Sequence, residues 1–156
     1  MGLDDCATHT LFTKGHTIKT PARVALSYYS AMKFAEDHNK ARYKITAYDA
    51  NSIGVNGKAI EAPLILSPME ILLDWKPKTY ADLVIEDLEA LYQLQEGAEV
   101  ILIGTGQKQV FPDKSVLKYL TQQKIGFEIM DSQAACRTFN IIMAEGRTVV
   151  AGLFIE

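Results

Sequence analysis

The alternation of apolar runs and amphipathic stretches after residue 85 constrains the fold of this chain more than any other feature. Glu99–Ile103 is an apolar run of strand length, which is typical of a strand buried on both faces. Phe127–Met130 and Thr148–Ile155 give two more strands, and helical patterns separate the three. Because strand, helix, strand, helix, strand in this order requires right-handed crossovers, we predict a parallel β-α-β-α-β unit.

Residues 86–95 form a helix that precedes this unit, and the stretch after Asp131 forms the second helix within it. The first begins with acidic residues, which suit the positive end of a helix dipole, and Gly97 ends it. The other is capped by Asp131 or Ser132, runs to about Glu145 and ends at Gly146.

The first helix of the unit lies between these two. Pro112 and Asp113 open it, and it runs to about Lys124, with Gly126 as its stop. Its predicted inward positions are Val116, Leu117 and Leu120.

The residues from Tyr43 to Trp75 predict antiparallel strands. Tyr43–Tyr48 alternates apolar and polar side chains. Asn56-Gly57 is the dipeptide that best supplies two positive φ angles for a tight hairpin. The other predicted strands are Ile53–Val55, Lys58–Ile60, Leu64–Leu66 and Ile71–Trp75.

The pattern predicts one α/β domain over residues 43–156. A mixed sheet carries the parallel unit, the antiparallel hairpin region packs beside it, and two or three helices cover the core. Residues 1–42 form an N-terminal arm and helix: residues 1–20 have no period, and Val24–His38 suits a helix. The apolar face of that helix either covers the domain or meets a partner chain, which would give a homo-oligomer.

Composition excludes several classes of protein. Apolar residues make up 48% and the net charge is −3, with no basic stripe to favour nucleic acid. The sequence has no run of about 18 apolar residues, so no membrane span is predicted. The start at Met1 is acidic, unlike a signal or transit peptide, and the two cysteines, Cys6 and Cys136, form no disulfide framework. We therefore expect a cytoplasmic protein.

The carboxyl ends of the parallel strands are the best place for a ligand, as in other open α/β sheets. Three features meet there: the Gly104-Thr105-Gly106 loop, the Asp131-Ser132 helix start, and the helix turn from Cys136 to Asn140. Free amide groups at a helix start hold an anion or a carbonyl oxygen. The ligand-binding candidates are Gly104, Thr105, Gly106, Asp131, Ser132, Arg137, Thr138 and Asn140.

Three of these candidates have a structural alternative. Asn140 is able to bond the Gly104–Gly106 loop, and Thr138 to bond back within its own helix. Arg137 is also open to a purely structural role.

A dinucleotide is one ligand that the glycine loop suggests. Gly104-x-Gly106 follows a buried strand and precedes a helix, but position 109 is Gln where a third glycine would stand. A plain sharp turn is the favoured interpretation, and no cofactor is predicted.

Cys136 is the candidate nucleophile. It lies near a helix start beside Arg137, which favours the thiolate. A nucleophile also needs a base, and the three histidines, His9, His16 and His38, all fall in the first 40 residues. Packing as a small core residue is the alternative and the favoured role.

No metal site is predicted. Cys6-x-x-His9 with His16 offers three ligands without a clear fourth, whereas structural zinc needs four. The only tryptophan, Trp75, follows Asp74, and burial in the core is the favoured interpretation of it.

Three stretches together resemble one family. They are Ile103–Gly106 with Phe111-Pro112, Asp131–Asn140, and Ala144–Arg147 before the last strand. The chain resembles, over residues 43–156, the small Mth-type domain family of unknown function, which includes bacterial conserved proteins, an adipogenesis-associated human protein and a mitochondrial assembly factor for respiratory complex I. The resemblance implies a three-layer α/β fold, no established enzymatic activity, and protein partners.

Two functional hypotheses follow. The first is a non-enzymatic interaction or assembly factor, which the resemblance implies and the lack of a catalytic set supports. The second is a small-molecule or anion-binding protein or enzyme that uses Gly104–Gly106, Ser132 and Cys136.

Overall fold

A computed structural model describes residues 8–13, 16–21, 41–94 and 97–155, the first two segments as backbone. The chain divides into two compact units, residues 1–40 and 41–156. In the first unit, Thr8–Thr13 (β1) and His16–Pro21 (β2) pair antiparallel. Residues 1–20 have no sequence period and are expected to form an arm, but these two paired strands form there, because β-branched Thr and Ile residues favour extended backbone. The predicted helix Val24–His38 lies outside the described residues.

A three-stranded antiparallel sheet opens the second unit. Its strands are Ile45–Tyr48 (β3), Ile53–Val55 (β4) and Lys58–Ile60 (β5), in the order β3-β4-β5. Asn56 and Gly57 have φ angles of 52° and 83°, which confirms the predicted hairpin turn. The Asn56 side chain also donates to the Arg42 carbonyl at 2.8 Å, which ties the turn to the chain before β3.

A five-stranded mixed sheet forms the centre of this unit. Its strands are Leu64–Leu66 (β6), Ile71–Leu72 (β7), Val100–Gly104 (β8), Gly126–Met130 (β9) and Val149–Leu153 (β10), in the order β7-β6-β10-β8-β9. β8 runs parallel to both β9 and β10, which confirms the predicted unit, whereas β6 pairs antiparallel with β10 and β7. The predicted strand Ile71–Trp75 is wrong after Leu72, because Trp75 turns into the core and its indole N–H donates to the Asp87 carbonyl at 3.2 Å.

Three helices accompany the sheet in residues 41–94 and 97–155: Ile85–Gln93 (α1), Lys114–Gln122 (α2) and Ser132–Ala144 (α3). A 3-10 helix at Tyr80–Asp82, which the sequence did not predict, precedes α1. Gly126 does not stop α2, because Lys124 takes the left-handed conformation (φ 58°) and Gly126 is already in β9. Leu117 does not point inward either, since 42% of it is exposed.

Two apolar cores lie on opposite faces of the central sheet. In β8, Leu102 faces one core while Ile101 and Ile103 face the other, as the period of two in a strand requires. The first core is closed by α3 and the three-stranded sheet, and the second by α1 and α2. The three-layer α/β fold is therefore confirmed, with the central sheet as the middle layer.

No helix in the described part of the chain is both long enough and apolar enough to cross a bilayer.

Candidate functional site

The carboxyl ends of β8, β9 and β10 meet at one edge of the central sheet, as the parallel pairing requires. The Thr105 amide donates to the Met130 carbonyl at 2.9 Å, and the Phe154 amide donates to the Gly104 carbonyl at 3.0 Å. These bonds extend the strand ladders into the residues that sequence analysis selected. We call this place the rim junction and define it by Gly104–Gly106, Asp131–Ser132 and Phe154.

Ser132 is the centre of the rim junction. Its hydroxyl accepts from the Gly106 amide at 2.8 Å and donates to the Phe154 carbonyl at 2.6 Å. The Ser132 amide in turn donates to the Gly106 carbonyl at 2.8 Å. One buried serine thus joins the loop after β8, the start of α3 and the end of β10.

Gly104 has to be a glycine for steric reasons. A Cβ built on it would lie 2.8 Å from Ser132 Oγ and 2.9 Å from Ser132 Cα. It would also lie 3.0 Å from Leu153 Cδ2. Because Ser132 Cα is backbone and cannot rotate away, the close approach of α3 to β8 depends on the missing side chain.

Thr105 organises the loop that follows. Its hydroxyl donates to the Lys108 carbonyl at 2.6 Å and accepts from the Val110 amide at 3.1 Å. The side chain is buried, and Gly106 beside it has a φ of 98°, in the region that favours glycine. The loop is a sharp, internally bonded turn.

Asp131 caps α3, which decides between the two predicted caps, Asp131 and Ser132. Its Oδ1 accepts from the Ala134 amide at 2.7 Å. Three amides around this helix start, those of Gly106, Ser132 and Ala134, are therefore already bonded within the protein.

Cys136 lies one turn into α3 and is fully buried. Burial raises the pKa of its thiol to about 12, and the nearby Arg137 guanidinium offsets only part of that effect. The group is a thiol at neutral pH, whereas a nucleophile needs the thiolate. The three histidines lie outside the residues whose side chains the structure describes.

Arg137 and Thr138 point to two different neighbours. The exposed Arg137 lies over the Tyr48 ring, with its guanidinium carbon 5.7 Å from the ring centroid. The Thr138 hydroxyl donates to Met130 Sδ at 3.6 Å, so the suggestion that it bonds back within its helix is wrong.

Asn140 clamps β3 to α3. Its Nδ2 donates to the Ile45 carbonyl at 2.7 Å, and its Oδ1 accepts from the Ile45 amide at 3.2 Å. The suggestion that it bonds the Gly104–Gly106 loop is therefore wrong. No local signal predicts this pair, since the two residues are 95 positions apart.

A shallow cleft opens beside the rim junction. It encloses about 280 Å³ including its solvent-open mouth, and its sheltered part has room for about one water molecule. Three predicted residues, Gly106, Ser132 and Cys136, line it; Gly104, Thr105, Asp131, Arg137, Thr138 and Asn140 do not. The other lining residues, which sequence analysis missed, are Tyr48, Asp49, Ala50, Ile53, Gln107, Gln133, Phe154 and Ile155.

Asp49 gives the cleft a negative group. Its carboxylate accepts from the amides of Asn51 and Ser52, each at 2.8 Å. These bonds hold the pKa of Asp49 below its usual value, so the group is charged at neutral pH. An anionic ligand would therefore meet a like charge at the wall of this cleft.

Metal ligands do not cluster in the described part of the chain: no group of three His, Cys, Asp or Glu side chains there could hold an ion. Cys6, His9 and His16 have no described side chains. Trp75 is buried against Phe154, with ring centroids 4.7 Å apart, in agreement with the core interpretation.

The fold and the rim junction define a three-layer α/β domain of the Mth938-like type. A Bordetella pertussis protein described as a Mth938-like domain has 28% sequence identity and a TM-score of 0.61, over 74% of this chain and 87% of that chain. A Bordetella parapertussis protein has 33% identity and a TM-score of 0.67, over 76% of this chain and 99% of that one. Residues 45–154 match the model of a protein family of unknown function, DUF498/DUF598, and the chain belongs to that family.

The chain is also similar in sequence to proteins that have descriptive names. The Xenopus tropicalis "NADH dehydrogenase [ubiquinone] 1 alpha subcomplex assembly factor 3" is 30% identical over 109 residues, which cover 70% of this chain and 59% of that protein. The Bos taurus protein of the same name is 28% identical over 140 residues, 90% of this chain and 75% of that one. A Francisella tularensis "13 kDa major membrane protein" is 32% identical over 93 residues, 56% of this chain and 70% of that one.

Proposed function

We propose that this chain is a non-enzymatic interaction or assembly factor whose partners are proteins. The observation that carries the proposal is the alignment of 90% of this chain with a relative named as an assembly factor. An assembly factor works by binding other chains and needs no catalytic group of its own.

The chemistry of the rim junction supports the same proposal. The hydroxyl and amides that would bind a substrate are engaged with each other, and the candidate nucleophile is a buried thiol with a raised pKa. These groups stabilise the fold, which leaves the outer surface for function.

The proposal is tested by capture of partners with the intact chain. Affinity-tagged protein is expressed at its native level, and the proteins that copurify are measured against an untagged strain. We expect at least one partner to be recovered reproducibly and in comparable molar amount. Failure to recover any partner, under conditions that preserve weak complexes by cross-linking, would contradict the proposal.

A more specific part of the proposal concerns which protein complex this chain helps to assemble. The names of the relatives support a role in the assembly of a respiratory NADH dehydrogenase. Loss of the chain from its own cell should then lower the amount of assembled enzyme, measured by native gel electrophoresis, without lowering the synthesis of its subunits. Normal assembly in the deletion strain would refute this part and leave the interaction role standing.

The proposal also includes a cytoplasmic location and self-association through residues 24–38. The buried free thiol of Cys136 is in keeping with a reducing compartment. Cell fractionation tests the location. Light scattering of a Met32→Pro variant tests self-association, because proline breaks a helix interior, and an unchanged mass would end that idea.

A second candidate function is ligand binding in the cleft. One observation favours it: Gly106, Ser132 and Cys136, which are separate in sequence, line the same space. The test is thermal unfolding with and without inorganic phosphate at about 10 mM. A stabilisation that Gln133→Glu removes would favour binding there, and an unchanged midpoint would count against an anion.

A further inference from the structure

The connection from β8 to α2 exposes apolar side chains that the fold does not use. Phe111 is 79% exposed, the highest value among the exposed large apolar residues of the described chain. Val110 beside it and Leu117 on α2 are 48% and 42% exposed. Several exposed apolar side chains close together in the chain, with an aromatic ring among them, are typical of a protein interface.

The segment that carries these side chains is rich in lysine. Residues 107–124 contain four lysines and one aspartate, a net charge of +3, whereas residues 41–156 as a whole have 11 basic and 15 acidic residues. Lys114 and Lys118 are both exposed and lie one turn apart on α2, so they share a face. Among the described residues the ion pairs are those of Arg147 with Glu99 and Glu145, so neither lysine is neutralised there.

We propose that Val110, Phe111, Lys114, Leu117 and Lys118, here called the basic-aromatic surface, dock an acidic segment of a partner protein that also carries apolar side chains. The inference rests on the proposed interaction function and names where the partner binds. Charge complementarity defines the occupant: carboxylates pair with the lysines, and an apolar side chain covers the Phe111 ring.

A membrane is a poorer occupant of this surface. A helix that binds a bilayer lays its apolar face into the lipid. In α2 that face is already committed to the core, because Val116 and Leu120 are buried within the protein. What is left outside is a lysine face with three exposed apolar side chains, Val110, Phe111 and Leu117, which is small for a lipid anchor.

A second copy of the chain is also a poorer occupant. In a two-fold dimer the same patch appears on both sides of the interface. The lysines of one basic-aromatic surface would then face those of the other, and like charges across an interface disfavour it.

The test compares two variants of this surface with two matched controls in the full-length tagged chain. Phe111→Ser is matched by Ile141→Ser, since Ile141 is 59% exposed on α3. The double variant Lys114→Glu/Lys118→Glu is matched by Lys44→Glu/Lys58→Glu, which has the same net charge and alters exposed lysines on or beside the three-stranded sheet. Native lysate is treated with a zero-length carbodiimide, which joins partner carboxylates directly to lysines.

We expect the partner to be cross-linked through its Asp or Glu residues to Lys114 or Lys118. Both surface variants should lower its recovery by about tenfold or more, as for an aromatic or charged hot spot, while the controls change it less than about twofold. Raising the salt concentration should weaken capture by the wild type. Circular dichroism of each variant shows that the fold is retained.

Different results overturn the inference in different ways. Equal recovery of one partner by all variants would leave the interaction function standing and refute the surface. No partner with the wild-type chain would remove both. Retention on phosphatidylglycerol vesicles but not on phosphatidylcholine vesicles, lost in the surface variants, would assign the surface to a membrane instead. A wild-type dimer by light scattering that becomes monomeric in the surface variants would assign it to a second copy.

Discussion

Two connections leave the same edge of the central sheet, and they differ in almost every physical respect. The connection from β9 to α3 is the single residue Asp131, whereas that from β8 to α2 spans residues 105–113. The short connection is packed and bonded to its neighbours through Ser132, while the long one begins as a buried turn at Thr105 and ends with Phe111 in solvent.

The comparison shows that the residues whose sequence pattern most resembles a ligand site stabilise the fold. Glycine, serine and aspartate at the ends of parallel strands build ligand sites in many α/β proteins. Here the same residue types allow α3 to approach β8 and then satisfy the amides and carbonyls that the approach buries. The exposed apolar residues lie farther along the longer connection, at Val110 and Phe111.

Gly104→Ala should cause the largest loss of stability. A small loss would remove the contrast between the two connections. The new methyl group would collide with the backbone of Ser132, so we expect a loss of about 3 kcal/mol in the free energy of unfolding, measured by urea denaturation. Gly126→Ala is the control, because its nearest contact would be an ordinary 3.4 Å to the Glu99 carbonyl oxygen. Equal stability of the two variants would show that the junction is loosely packed.

Ser132→Ala should cost about 2 kcal/mol, because it leaves the Gly106 amide and the Phe154 carbonyl buried without their partner. Ser115→Ala on the exposed face of α2 should change stability by less than about 0.5 kcal/mol. Chemical denaturation measures both. A Ser132→Ala protein that is fully stable but has lost partner or ligand binding would place function in the rim junction after all.

The Cys136 thiol should make stability depend on pH above neutrality. Its pKa is about 12 in the folded protein against a reference of 9.0, so ionisation favours the unfolded chain. The stabilisation is complete below pH 9 and is lost as the pH rises toward 12. Between pH 8 and pH 10 the wild type should lose about 1 kcal/mol more than Cys136→Ala in urea denaturation. Parallel pH profiles would mean that the thiol is solvated.

Phe111→Ser should have the smallest effect on folding. With 79% of the ring in solvent, we expect a change of less than about 0.5 kcal/mol in urea denaturation. This sharpens the contrast between the two connections, since the same substitution is expected to impair partner capture. A large loss of stability would mean that the ring packs against the protein and that the surface is part of the fold.

Much of the fold follows from local patterns in the sequence. The apolar run before Gly104 predicts a central strand that is buried on both faces, and Asn56-Gly57 predicts its hairpin because few other residues accept both φ angles. Strand order does not follow in the same way: β10 lies between β6 and β8, and that insertion is decided by packing of distant segments.

The sequence predicts where the candidate site lies, but not that its polar groups are already hydrogen-bonded within the protein. Sequence spacing brings Gly106, Ser132 and Cys136 to one cleft, because the parallel strands end together. It does not reveal that Ser132 Oγ donates to the Phe154 carbonyl, or that Asn140 Nδ2 donates to the Ile45 carbonyl. Both hydrogen bonds join residues far apart in the chain. Leu117 failed as a core position because α2 buries a narrower face than its apolar pattern suggests.

Hydrogen exchange at the Gly106 amide measures the state of the rim junction most directly. This amide is buried and donates to Ser132 Oγ at 2.8 Å. In ¹⁵N-labelled protein we predict that it exchanges as slowly as the amides of β8, at a rate set by unfolding of the domain. Exchange as fast as that of the exposed Gln107 would contradict the account, because it would leave a donor at this edge available to a ligand.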